Sequence, residues 1–344
     1  MDKKLGKSAR VGIRDVAAAA GVSPTTVSHA LSGARAINPE TRVRVLEVAQ
    51  KLGYSPDLLA RGLRSSRTFT VGLLSDTIAV TPYAGLIISG AQDAAAEHQS
   101  VVLALDSTGD AQRELLGIRT LLDHRVDGLV YARMSHQSVS VPPELDGIPV
   151  VLANASSADL RFSSVVPNEK QIGLDATGHL LSFGHKRVGF STVTENVPAA
   201  AGRQLGYRAA MKAAGLEVNE SWISASTGDA KGGREAGRAI LDRDDRPTAI
   251  FCFNDEMAMG VYQAANDLGL SIPDELSVIG VDDLQLITQA LVPNLTTIAL
   301  PHYQMGHWAV SQLFIQAEVK TDALKAEQLH CQLIQRESVA VPKR

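Results

Sequence analysis

Residues 11–33 read VGIRDVAAAAGVSPTTVSHALSG. In IRDVAAAA (13–20), Ile13, Val16, Ala17 and Ala20 recur on one helical face, and Gly21 follows as a residue that can take the left-handed turn ending a helix. A second helix is expected at once. Ser23 is a natural N-cap, Pro24 suits the first helical position, where no N–H is needed, and Val27 and Leu31 point inward. Thr25, Thr26, Ser28 and His29 face elsewhere. Two short helices joined by so tight a turn, the second with a small polar face, predict a helix-turn-helix. Further out, Asn38-Pro39-Glu40 is a third start signal, and Val43, Leu46, Ala49 and Leu52 are expected to form that helix's buried side until Gly53 closes it.

Charge separates this head from the remainder of the chain. Residues 1–67 carry 12 Lys and Arg against 5 Asp and Glu, whereas the other 277 carry 21 against 32, so the net charge of −4 hides a basic head and an acidic body. A basic head can neutralise phosphates while a like-charged body is held off a nucleic-acid duplex. The length of 344 residues, 45% of them hydrophobic, allows two or three modules.

From residue 69 short apolar runs alternate with longer amphipathic stretches. Strands are expected at 69–74, 101–105, 127–132, 149–153, 188–191, 248–253 and 276–281, with helices between them at 85–98, 111–124, 200–214, 231–242 and 255–268. Regular βα alternation predicts a parallel, doubly wound sheet, and the length predicts two. Two such sheets face each other across a cleft outside their strands' carboxyl ends, where ligands bind.

The opening MDKKLGKSARVGIRDV lacks the apolar run of an export signal, and no stretch approaches the roughly 18–20 apolar residues of a membrane span, so a cytoplasmic, nucleoid-associated protein is expected. Cys252 and Cys331 stand apart from any CxxC or Cys/His cluster and are expected to be inert thiols, with no metal and no cofactor. GxGxxG after a strand, GxxxxGK[ST], GxSxG and HExxH are all missing, so no catalytic residue is assigned. The alternatives on the same α/β scaffold are an enzyme and a solute-binding protein. The second would have no use for residues 11–67.

The segment 11–33, followed by INPETRVRVLEVAQKLGYSPDLLARGLRSSRTFTVGLL (37–74), closely resembles the lactose repressor (LacI) family of bacterial regulators, and the likeness runs along nearly the whole chain. The resemblance implies an N-terminal helix-turn-helix head (11–55), a hinge helix and linker (56–67) and a ligand-sensing, dimerising body (68–344) of two doubly wound subdomains like those of periplasmic binding proteins. Subdomain one is expected at about 69–167 and 301–327, and subdomain two at about 170–298 and 328–344.

For the head, it implies a recognition helix at 24–31 lying in the major groove of operator DNA, with Ser23, Thr25, Thr26 and His29 reaching bases or phosphates. The hinge sequence DLLARGLRSS is short and weakened by Gly62, so it is expected to fold only on DNA. The resemblance places Leu63 there as a wedge between base pairs of the minor groove, with Ala60 beside it and Arg64 at the groove wall. For the body, it implies effector contacts from Tyr83, Asn154, Arg203, Asn254 and Asp282. A carboxylate and a guanidinium facing one another suit a sugar or polyol better than a nucleobase. Gly228 stands where several relatives carry a stacking aromatic. The tail QLIQRESVAVPKR adds no heptad segment, so a homodimer rather than a tetramer is expected.

Overall fold

Gly21 adopts φ 66° and ends α1 (Ile13–Ala20), its N–H and that of Val22 closing back on the carbonyls of Ala18 and Ala17. At the start of α2 (Pro24–Ser32), Ser23 Oγ accepts the Thr26 N–H at 3.1 Å. α3 (Pro39–Lys51) is capped by Asn38, whose Oδ1 accepts the Glu40 N–H at 2.9 Å. Val16, Ala17, Ala20, Val27, Ala30, Val45 and Ala49 form the head's core.

One expectation for α3 is overturned. Val43, Leu46 and Leu52 are 55%, 44% and 37% exposed, and the inner side is Val45, Ala49 and half-buried Val48. The core of a three-helix head is narrow. Residues one turn apart, 45 and 49, fill it, and the remaining apolar side chains of α3 are left on other faces.

The structure is a computed structural model describing residues 11–32, 35–54, 67–159, 161–319 and 324–343, and it divides into two compact units between Phe69 and Thr70. The hinge segment, with Ala60, Leu63 and Arg64, lies outside the described residues.

The body's strands are β1 (Thr70–Ser75), β2 (Val101–Asp106), β3 (Gly128–Ser138), β4 (Val150–Ser156), β5 (Ser163–Pro167), β6 (Val188–Val193), β7 (Ile223–Ser226), β8 (Ala249–Cys252), β9 (Ser277–Asp282), β10 (Thr296–Ala299), β11 (Ala326–Leu329) and β12 (Gln332–Ile334). They form two six-stranded sheets, in the orders β11-β5-β4-β3-β1-β2 and β12-β10-β9-β8-β6-β7. Among the described strands only β12 runs antiparallel to its neighbour. The chain passes between the sheets three times, after β5, β10 and β11. All seven apolar runs are strands. Of those without such a run, β7 (ISAS), β11 (AEQL) and β12 (QLI) are short, half-buried or exposed pieces whose composition carries little strand signal, whereas β5 and β10 are short but mostly buried.

The helices are α4 (Ala84–Glu97), α5 (Ala111–Asp123), α6 (Glu169–Ser182), α7 (Pro198–Ala213), α8 (Ala230–Leu241), α9 (Asp255–Asp267), α10 (Gln285–Thr288) and α11 (His302–Val319). Three pairs of them pack backbone to backbone through reciprocal glycines. A Cβ on Gly90 of α4 would lie 2.0 Å from the Tyr303 carbonyl of α11, and one on Gly306 2.0 Å from that of Ile87. The same exchange joins Gly173 and Gly206 in α6 and α7 (2.1 and 2.2 Å) and Gly233 and Gly260 in α8 and α9 (2.2 Å each). In all six cases the carbonyl belongs to the residue three before the partner glycine. Each crossing lies near the helix starts, so it brings two N-terminal ends together beside the carboxyl edge of a sheet.

Candidate DNA-reading surface and effector cleft

On α2, Thr25 is exposed and Thr26 and His29 are half-buried. Ser23 is the cap: besides the Thr26 N–H, its Oγ lies 2.9 Å from Thr26 Oγ1. Its first role is therefore to hold the helix that presents Thr25 and His29. Ser23→Ala is expected to destabilise the head by about 1 kcal/mol in urea unfolding.

In the body the glycine crossings fix which side chains meet. The α4/α11 pair presents Tyr83, at the N-cap of α4, and His302, at the first residue of α11. Their rings stack with centroids 4.2 Å apart and 9° between planes, and Tyr83 Oη donates to the Met134 carbonyl at 2.7 Å. Burial, then the nearby Asp282 carboxylate, pushes the Tyr83 hydroxyl up. Burial, helped by Arg203, pushes His302 down to about 4, so its imidazole is neutral.

The α6/α7 pair presents Glu169 and Arg203, both buried, with Arg203 Nε donating to Glu169 Oε2 at 2.8 Å. Arg203 Nη1 also donates to the Phe253 carbonyl, and its guanidinium lies over the Phe253 ring at 4.4 Å. From the other lobe, His136 on β3 brings Nδ1 to 3.3 Å from Glu169 Oε1, near but without hydrogen-bond alignment. Burial alone would raise Glu169, but Arg203 and then His136 outweigh it and hold the carboxyl below its usual range.

The α8/α9 pair presents Asn254, which caps α9. Its Oδ1 accepts the Met257 N–H and its Nδ2 donates to the Gly228 carbonyl, both at 2.7 Å. Gly228 thus lies against Asn254.

The two remaining expected residues lie on strands, Asn154 within β4 and Asp282 at the end of β9. Asn154, on β4, is 1% exposed at φ 53°, and its Oδ1 has no partner. Asp282 ends β9 at φ 117°, a conformation costing a β-carbon residue on the order of 1–3 kcal/mol. Its surroundings hold it there. Asp283 pairs with Arg336 at 2.6 Å, and Asp255 Oδ2 accepts the Leu284 N–H at 2.8 Å. Asp255 Oδ1 takes the Thr297 hydroxyl at 2.6 Å and occupies the space a Cβ on Gly280 would need, 2.2 Å away. Burial, opposed by Arg203 and reinforced by Glu169 and Glu256, pushes Asp282 up to about 7.

Of the five body residues expected from the sequence, Tyr83, Arg203 and Asp282 share one electrostatic neighbourhood. Arg203 and Asn254 are already engaged with protein partners. Glu169, His136 and His302 escaped sequence reasoning. Glu169 after Asn168 reads as an ordinary acidic first turn, and a lone histidine beside a strand or a proline carries no motif. Among the described residues no group of three or more His, Cys, Asp or Glu could hold a metal ion. Buried Cys252 and Cys331 have thiols raised by burial, Cys331 to about 12.

A helix-turn-helix head and a two-sheet body with polar groups meeting at its strand ends define a DNA-binding regulator with a small-molecule receptor domain. The family described as bacterial regulatory proteins, lacI family, matches residues 12–57, and that described as periplasmic binding proteins and sugar binding domain of LacI family matches 68–337. The chain belongs to the LacI family. It is 35% identical over 305 residues to catabolite control protein A of Priestia megaterium, covering 88% of this chain and 91% of that protein. It is 31% identical to the ribose operon repressor of Haemophilus influenzae, covering 95% and 98%. The solved cellobiose complex of the transcriptional regulator CelR matches with TM-score 0.71 and 27% identity over 96% of this chain and all of that one. The chain is thus a DNA-binding transcriptional regulator with an effector-binding body.

Proposed function

We propose that the chain is a homodimeric, cytoplasmic repressor that reads a pseudo-palindromic operator and is switched by a hydroxyl-rich effector, a sugar or polyol, bound in the body's cleft. It carries no catalytic role in this reading. Residues 11–55 read the major groove, 56–67 link the head and enter the minor groove through Leu63, Ala60 and Arg64, and 68–344 bind effector and partner subunit. The observation that carries the effector site is Asn154 Oδ1, buried and unpartnered on β4, where the residue stands at φ 53°. Buried polar atoms are ordinarily paired, and a ligand hydroxyl supplies the missing donor. The sugar complex of CelR supports the same class. Exposed Leu286 and Val292, at 78% and 89%, are available to a second copy.

Titrating sugars, polyols and nucleobases against binding to the DNA upstream of the chain's own gene tests DNA, ligand and sign together. A response that survives Asp282→Ala unchanged would remove the site. His29→Ala is expected to lose about 1–3 kcal/mol of preference for operator over random duplex, read by competition binding. If the preference is intact, His29 is not a base reader.

Effector affinity should follow Asp282. Its folded-state carboxyl titrates near 7, with Arg203, Glu169 and Glu256 facing it, and the ionised form accepts ligand hydroxyls best. Affinity is therefore expected to rise with pH through about 7 and to flatten in Asp282→Asn. Calorimetric titration on both sides of neutrality checks this.

A further inference from the structure

The charges acting on Asp282 are Arg203, Glu169 and Glu256, and those acting on Tyr83 are Arg203, Asp282, Glu256 and Asp76. Arg203 and Glu169 act on His302. The Arg203 guanidinium thus faces the carboxylates of Glu169 and Asp282, with Glu256 and Asp76 acting on their neighbours, and its Nε and Nη1 are already engaged by Glu169 and the Phe253 carbonyl. The groups left for a ligand are different in kind. Asn154 Oδ1 and the ring nitrogens of His302 have no hydrogen-bond partner and both residues are 1% exposed, while Glu169 Oε1 has His136 Nδ1 at 3.3 Å without hydrogen-bond alignment. Both of these oxygens are acceptors, and the neutral His302 ring offers one nitrogen of each kind.

Helix N-termini would ordinarily attract an anion here. In lobe two they carry their own. Glu169 sits in the first turn of α6, Asp255 and Glu256 in that of α9, and Asp229 caps α8 by accepting the Gly232 N–H at 2.7 Å.

We propose that this cleft sorts effectors by charge: it takes neutral or amine-bearing polyhydroxylated molecules and rejects their phosphorylated and carboxylated counterparts. The proposal rests on the hydroxyl-rich effector reading and adds the sign of the charge. A ligand ammonium or hydroxyl donates to Glu169 Oε1, Asp282 and Asn154 Oδ1. A phosphate meets the same carboxylates, and the Arg203 guanidinium already has its Nε and Nη1 turned to Glu169 and the Phe253 carbonyl.

The test is thermal shift and calorimetric titration of the full chain with matched triads. Each triad is a free hexose, its 2-amino derivative and its 6-phosphate, in the gluco, galacto and manno series. Responses are expected only from free and amino members, with the phosphate of a responding triad roughly 100-fold weaker or worse, as like-charge juxtaposition demands. Asp282→Asn and Glu169→Gln, each removing one negative charge with little change of shape, are expected to narrow that gap about tenfold. A phosphate member that binds the wild type as tightly as its free sugar overturns the charge inference and leaves the polyol reading standing. Silence from every triad sinks the polyol reading instead, and inorganic phosphate alone then decides the charge inference. Saturable phosphate binding to the wild type that Arg203→Lys abolishes overturns it, and the absence of such binding supports it.

Discussion

Gly206→Ala is expected to lower the melting temperature of the body more than any conservative change elsewhere in α7. The added methyl would lie 2.2 Å from the Lys170 carbonyl oxygen and 2.6 Å from the Leu174 nitrogen, both backbone atoms of α6. Neither can rotate away as a side-chain end would, so the two helices must separate along their whole contact. Overpacking of this kind costs about 3 kcal/mol. In a domain of this size that corresponds to a melting temperature roughly 6–12 °C lower by calorimetry. The same helix pair holds Glu169 against Arg203, so effector affinity should fall with stability. Gly178→Ala supplies the control, because that glycine lies in α6 with nothing within 4 Å of its missing Cβ. There the methyl is expected to stabilise by about 0.5–1 kcal/mol through helix propensity alone. Equal melting temperatures for the two variants would rule out the backbone crossing.

The second large effect is at Glu169. Glu169→Ala leaves the Arg203 guanidinium, 3% exposed, without its carboxylate. An unpaired charge so deeply buried costs about 3–5 kcal/mol in urea unfolding. The double variant Glu169→Leu/Arg203→Met is expected to recover most of that loss, because it removes both desolvation penalties together with the attraction. If the double variant is no better than the single one, packing rather than charge is what Glu169 supplies.

The two buried carboxyls also predict opposite pH signatures. Glu169 is held below its usual range, so its stabilisation is complete above the unfolded value of about 4.3 and is lost as pH falls through the folded one. Asp282 is raised to about 7, so its contribution is complete below the unfolded value and is lost as pH rises through neutrality. Asp282→Asn should accordingly stabilise the chain most on the alkaline side.

The head was legible residue by residue. Gly21 marks its turn because a left-handed residue is needed there, and Ser23 and Asn38 mark helix starts because exposed N–H groups need acceptors. The face of α3 was not. Its five apolar side chains, Val43, Val45, Leu46, Val48 and Ala49, outnumber the space the small core offers, and only packing chooses among them. In the body, apolar runs disclosed β1, β3, β4, β6, β8 and β9, parallel strands whose burial on both faces demands them. The short strands β7 and β11 face less of the core and left no such trace.

By itself, then, the sequence determined the family, the alternation of strands and helices, and the capping of α9 by Asn254. These depend on local periodicity, capping and turn chemistry, which neighbouring residues encode. The tertiary structure alone decided that Glu169 and not a ligand holds Arg203, that His302 lies on Tyr83, and that His136 reaches Glu169 from the opposite lobe. Those partners lie 34, 219 and 33 positions apart along the chain, and the first two pairs meet because glycine-sized crossings bring helix starts together at the sheet edges. Side chains so distant carry no mutual periodicity, so their pairing is set by the packing of whole elements.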